Sequence, residues 1–168
     1  ADLTDKKKAE FLRHHLVTAY ISALRKAAGP PPVVRGAVPI AAEHYEAMRD
    51  SASTLQMRQI SVILWYRAAR WADVAALRKG ALWKTTTGMC AVEAGREKTS
   101  NLGVARRYEL FIPEVEQRIL QNLFSEGPPT ARTRSKEPLF RVTRTQYTKE
   151  LRRVTGVQEY TTHSFRKG

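Results

Sequence analysis

The chain has 168 residues, which bounds it to one domain, or one domain with a piece of another. A 42% hydrophobic content is enough to bury a core and excludes a disordered basic tail. The formal net charge of +13, from 29 Lys+Arg against 16 Asp+Glu, favours a polyanionic partner, because each neutralised phosphate releases counterions.

The surplus concentrates near the end. From Pro128 to Gly168 there are 10 Lys+Arg and 3 Asp+Glu, a local balance of +7. Arginine dominates there, and its planar fork matches two phosphate oxygens. Cys90 is the single cysteine, which excludes an intramolecular disulfide and a paired-cysteine metal framework. No stretch approaches the roughly 20 apolar residues that span a bilayer, and none reads as a signal peptide. The expectation is therefore an intracellular protein without a membrane partner, in the nucleus if eukaryotic and in the cytoplasm or nucleoid if bacterial. Ala1 in first place, and an end that falls where a helix is expected to open, imply a fragment.

Residues Thr4 to Ala28 read as an amphipathic helix, with Leu12, Leu16, Tyr20 and Leu24 every four positions. Gly29 and Pro30-Pro31-Pro32 end it, and 29–39 is an extended linker. A lone helix cannot bury its own stripe, so residues 1–28 are expected to close a preceding domain. A short helix is expected from Ala41 to Asp50. A central core helix is expected from Thr54 to Tyr66, where Leu55, Met57, Ile60, Val62, Ile63, Leu64 and Trp65 surround the axis. The pattern predicts a further helix from Trp71 to Lys79, closed by Gly80, with Val74 and Leu77 inward.

The period then changes to two. Val104, Arg106, Tyr108, Leu110 and Ile112 alternate as in a strand, with Leu82-Trp83 and Met89 to Glu93 as partners around a Thr86-Thr87-Gly88 turn. This predicts a small antiparallel sheet carrying Lys98 beside the Ser100–Gly103 turn. Pro113 starts a helix expected to reach Phe124 (Val115, Ile119, Leu123), and glycine and proline at 127–129 open a basic loop. Thr143 with Gln146 is a capping-box signature for a helix holding Tyr147, Leu151 and Val154. Thr162 is expected to cap a final helix.

Four side chains stand out: Arg70, Lys98, His163 and Arg166. His163 and Arg166 are three positions apart, which in a helical turn puts imidazole and guanidinium on one face, a pair able to grip a phosphate. Asp73 follows Arg70 by one helical turn. Each feature alone describes an ordinary surface pair, a solvated lysine or a half-buried histidine.

In order and spacing, however, the set resembles the tyrosine recombinases, or phage-type integrases. Arg70-Trp71-Ala72-Asp73, with Leu77 and Trp83, looks like the surroundings of that family's first catalytic arginine. Lys98-Thr99 before the strand ending at Pro113 resembles its hairpin lysine, and His163-Ser164-Phe165-Arg166 its HxxR. The resemblance runs from about Pro39 to Gly168, and Thr4 to Pro32 resembles the end of a core-binding domain with its linker. It implies a mainly α fold with a small antiparallel sheet (α+β), with 40–168 a catalytic domain truncated at its C-terminus.

It also implies double-stranded DNA as partner, a homo-oligomer (a tetramer on DNA) in the full-length protein, and breakage and rejoining through a phosphotyrosine. Arg70 and Arg166 would stabilise the charged phosphate, with Asp73 supporting, Lys98 acting as general acid and His163 assisting proton transfer. No metal or cofactor is implied. The family's nucleophile lies beyond HxxR, whereas Tyr20, Tyr45, Tyr66, Tyr108, Tyr147 and Tyr160 all precede Arg166. No nucleophile is therefore expected in this chain, which would bind without cutting. The alternatives are a non-catalytic DNA-binding protein of the same fold and a basic RNA-associated protein.

Overall fold

Two helices meeting at a buried corner begin the described part of the chain. The structure, a computed structural model, describes residues 36–94, 106–130, 132 and 134–167. The expected helix 4–28, most of the linker, and Lys98 with its turn lie outside the described residues. Residues Ala37–Gly168 form one unit.

Helix α1 (Ala42–Ser51) buries Tyr45 and Met48, three apart on one face. Helix α2 (Leu55–Arg67) starts where expected, with Thr54 Oγ1 accepting from Met57 N at 3.3 Å. From Gln59 to Leu64 every residue is buried, so α2 is the central helix that its all-round apolar pattern implied. Ile60, Val62, Ile63 and Leu64 are fully enclosed, each worth about 1.5–3 kcal/mol of burial. Its buried amide is also satisfied: Gln59 Nε2 donates to Ile119 O at 2.9 Å and Asn122 Oδ1 at 2.6 Å.

Helix α2 stops at Ala68, which sits in the left-handed region at φ 47°. An alanine there is strained by about 1 kcal/mol. Helix α3 (Trp71–Ala75) follows and is shorter than the sequence suggests. Val74 and Leu77 are buried as expected, but the backbone beyond Ala75 is recruited elsewhere. Leu77 O accepts from Leu139 N at 2.8 Å and Lys79 N donates to Glu137 O at 3.1 Å, an antiparallel bridge that replaces the helix's last turn. Gly80, at φ 83°, then turns the chain into the sheet.

The sheet order is β3-β2-β1-β4, with β1 Leu82–Lys84, β2 Cys90–Ala94, β3 Arg106–Leu110 and β4 Phe124–Ser125. The β1–β2 and β2–β3 pairings are antiparallel, and the expected turn appears as Gly88 N donating to Thr85 O at 3.0 Å. Register sets the faces: Leu82, Val92 and Tyr108 align on one, Glu93 and Arg107 on the other. Leu82 and Val92 are fully buried, so the first face looks into the core.

Strand β4 corrects the expectation of a purely antiparallel sheet. Helix α4 runs only over Glu114–Leu120, a 3₁₀ turn covers Gln121–Leu123, and Phe124–Ser125 pairs parallel with β1. Ser125 Oγ donates to Leu82 O at 2.9 Å, holding the chain extended where a helix to Phe124 was expected. Glu116 and Leu120 form the buried face of α4, and Val115 is exposed. The architecture is thus α+β, with five α-helices and a four-stranded mixed sheet among the described residues.

Helix α5 (Arg144–Thr155) carries the expected capping box: Gln146 N donates to Thr143 Oγ1 at 3.2 Å, and Thr143 N to Gln146 Oε1 at 2.9 Å. Gly156, at φ 72°, ends it. The last element is a 3₁₀ turn, Ser164–Arg166, and Thr162 is not its cap. The Thr162 hydroxyl is buried without a hydrogen bond, and Thr161 Oγ1 accepts from His163 N at 3.2 Å instead. The local reason is that Ser164 Oγ accepts from Thr161 N at 3.1 Å, which closes a tight turn one residue earlier.

Candidate nucleic-acid interface

Arg70 stands at the N-cap position of α3 with an exposed side chain. Its backbone N–H donates to Asp73 Oδ2 at 3.0 Å, so Asp73 fixes the first turn through the main chain and leaves the guanidinium outside that bond. The strained Ala68 and the buried Ala69 lie just before it, so Arg70 emerges directly from the end of the core helix.

His163 and Arg166 lie at the other end of the described chain, both exposed. His163 is the N-cap of the Ser164–Arg166 turn, and in 3₁₀ geometry side chains three apart eclipse, so the two share a side. Phe165 between them is buried and anchors the turn. Ser164 O accepts from Ile40 N at 3.1 Å. Tyr160 is pinned as well: its hydroxyl meets His44 Nδ1 at 2.9 Å and accepts from Ala41 N at 3.3 Å.

One buried residue links the two segments. The ring of Tyr147 on α5 lies 5.5 Å from Trp71, the neighbour of Arg70, and 6.2 Å from Phe165, the neighbour of Arg166. Trp71 and Phe165 therefore pack against the same phenol, and the backbone segments carrying Arg70 and Arg166 share one support. Tyr147 Oη is 2.6 Å from Ser61 Oγ on α2. Ser61 Oγ spends its only proton on Met57 O at 2.9 Å, so Tyr147 is the donor. Burial raises the phenol's pKa well above its ordinary value. Both hydroxyls are thus engaged inside the fold, Tyr147 Oη with Ser61 and Tyr160 Oη with His44 and Ala41.

The outer side of α5 forms a cleft of about 630 Å³, with Arg144, Thr148, Lys149, Arg152, Gln158 and Thr161 among its lining residues. Arg144, Thr148 and Arg152 recur every four residues and so stack along one helical face. That four-residue spacing is visible in the sequence. Arg152 Nε donates to Tyr160 O at 3.1 Å, and Thr161, which also bonds His163 N, lines the same cleft. The cleft therefore leads into the His163 turn.

Among the described residues, Arg153 is the cation of the cleft that is matched by an acid. Arg153 forms a forked pair with Glu150 at 2.7 and 2.8 Å, and Glu150 Oε1 also accepts from Ser53 N at 2.7 Å. The Arg153 contact is the chief cause that holds the Glu150 carboxyl down at about 2. The Cys90 thiol is pushed up to about 11 by burial, which makes it unreactive. No cluster of His, Cys, Asp or Glu able to hold a metal ion occurs among the described residues. Among them, too, no helix is long and apolar enough to cross a membrane. Compared with known proteins, the chain matches no protein-family model and no curated protein at a significant level.

Proposed function

We propose that this chain binds duplex DNA and grips one backbone phosphate with Arg70, His163 and Arg166, as part of a site-specific recombinase or integrase of the tyrosine type. The observation that carries the reading is the Tyr147 ring, against which Trp71 and Phe165 both pack, beside a cleft lined with arginine and lysine. Two guanidiniums on one phosphate stabilise the extra negative charge that develops on its non-bridging oxygens during transesterification. Lys98 supplies a proton to the departing 5′ oxygen, and His163 assists that transfer. In a recombinase of this type the attacking group is a tyrosine, which forms a 3′-phosphotyrosine link, and the protein works as a homo-oligomer on DNA. The six tyrosines of this sequence all precede Arg166.

The test is fluorescence anisotropy on a labelled duplex, with Arg70→Ala and Arg166→Ala beside the wild type. Each variant is expected to weaken binding at low salt and to lower the log–log salt slope by about 0.9, one phosphate contact. An RNA-associated protein with a chance constellation would instead keep its nucleic-acid affinity and specificity when Arg70 is removed.

A further inference from the structure

We propose that Arg107 and Arg134 form a second contact with the nucleic-acid backbone, organised by the buried carboxylate of Glu93. The proposal rests on the nucleic-acid reading above and adds a site apart in sequence from Arg70, His163 and Arg166. Glu93 lies on β2 with its side chain 8% exposed. Its Oε1 accepts from Arg134 Nη2 at 2.6 Å, and its Oε2 lies 3.4 Å from Arg107 Nε. Arg107 comes from β3, directly opposite Glu93 in the register, and Arg134 from the basic segment between β4 and α5.

One carboxylate balances one guanidinium, so the trio keeps a net positive charge that the fold itself does not require. Both arginines remain about half open to water, at 55% and 53% of their side-chain surface. A guanidinium has five N–H donors, so the contact with Glu93 leaves each able to hold an anion. The Arg107 guanidinium also lies 5.6 Å over the Trp83 ring, a flat support that fixes its plane. The result is two planar forks held by one acid, a form suited to the oxygens of a phosphodiester. The exposed residues Arg132 and Lys136 flank Arg134 in the same segment and extend the positive field.

Glu93 acts here by positioning, and that role has a sign that charge alone does not give. Glu93→Gln and Glu109→Gln each remove one negative charge from the same face of the sheet, and Glu109 is exposed. Simple electrostatics makes both variants bind DNA more tightly. If Glu93 organises the arginines, Glu109→Gln tightens binding and Glu93→Gln weakens it.

The experiment is anisotropy of a short labelled duplex of arbitrary sequence between about 50 and 200 mM salt, with folding checked by circular dichroism. Arg107→Gln and Arg134→Gln are each expected to lower the salt slope by about 0.9, so that about 3-fold less affinity is lost across that range. The proposal is overturned if both arginine variants keep the wild-type slope, or if Glu93→Gln tightens binding as Glu109→Gln does. Should Glu93→Gln fail to fold, the arginine variants decide alone. A wild type with no salt-dependent binding would sink the DNA reading and this proposal together. Binding that depends on Arg70 and Arg166 but not on Arg107 and Arg134 would sink this proposal only.

Discussion

Tyr147 and Ser61 give a prediction whose sign is fixed by one proton. Both residues are fully buried and their oxygens are 2.6 Å apart. Ser61 gives its proton to Met57 O, so Tyr147 must give its own to Ser61. In Tyr147→Phe the serine keeps its donation and loses only a partner for a lone pair, which costs about 1 kcal/mol. In Ser61→Ala the phenol keeps a proton with no acceptor in a buried site, which costs about 2 kcal/mol. The double variant removes both polar groups and costs no more than Tyr147→Phe alone, so the coupling between the sites is about 2 kcal/mol. With a urea slope of about 2 kcal/mol/M, the midpoints fall by about 0.5 M for Tyr147→Phe and about 1 M for Ser61→Ala. Urea unfolding followed by tryptophan fluorescence reads the series. A Tyr147→Phe loss larger than that of Ser61→Ala would reverse the donor assignment and refute the reasoning. Because the ring and not the hydroxyl touches Trp71 and Phe165, Tyr147→Phe should keep its DNA affinity, as anisotropy will show.

Three further outcomes are expected. Glu150 has a depressed carboxyl pKa, so its contribution is present above the unfolded value near 4.3 and is lost as pH falls towards about 2; Glu150→Gln should flatten the acid limb of the stability curve in that window. Ala68→Gly should raise stability by up to about 1 kcal/mol in thermal melts, by relieving the left-handed strain at the end of α2. Gly156→Ala should do the reverse at the end of α5, lowering stability by about 1 kcal/mol from backbone strain alone, since a Cβ there meets no atom within 4 Å.

What was legible in the sequence was what neighbours along the chain decide. Thr143 and Gln146 bond each other's backbone, and Thr54 bonds Met57, so both helix starts follow from three-residue spacings. The apolar residues of α2, spread around its axis from Leu55 to Trp65, announced a core helix because they too lie close along the chain. The early end of α3 was hidden, because Leu77 and Lys79 are drawn away by residues 137–139. Strand β4 was hidden too: Phe124–Ser125 is extended only because β1 lies alongside. The exposed Val115 shows the limit of periodicity on a seven-residue helix, where Glu116 turns inward to meet Arg49 at 3.0 Å.

The candidate site divides along the same line. Arg70 with Asp73, and His163 with Arg166, are local spacings and could be read directly. Tyr147 was legible only as a core residue, since its contacts to Trp71 and Phe165 join distant segments. Glu93 gave no signal, because nothing in its neighbourhood names the arginine that reaches it from 41 positions away.

The bond from Ala41 N to Tyr160 Oη spans 119 positions, and Ile40 N to Ser164 O closes beside it. Such a closure joins residues near the two ends of the unit, a contact of high sequence separation that carries a large loop-closure entropy cost. The seat of the His163 turn is therefore built by both ends of the unit at once, and a change at Ile40 or Ala41 would reach it as directly as one in the turn itself.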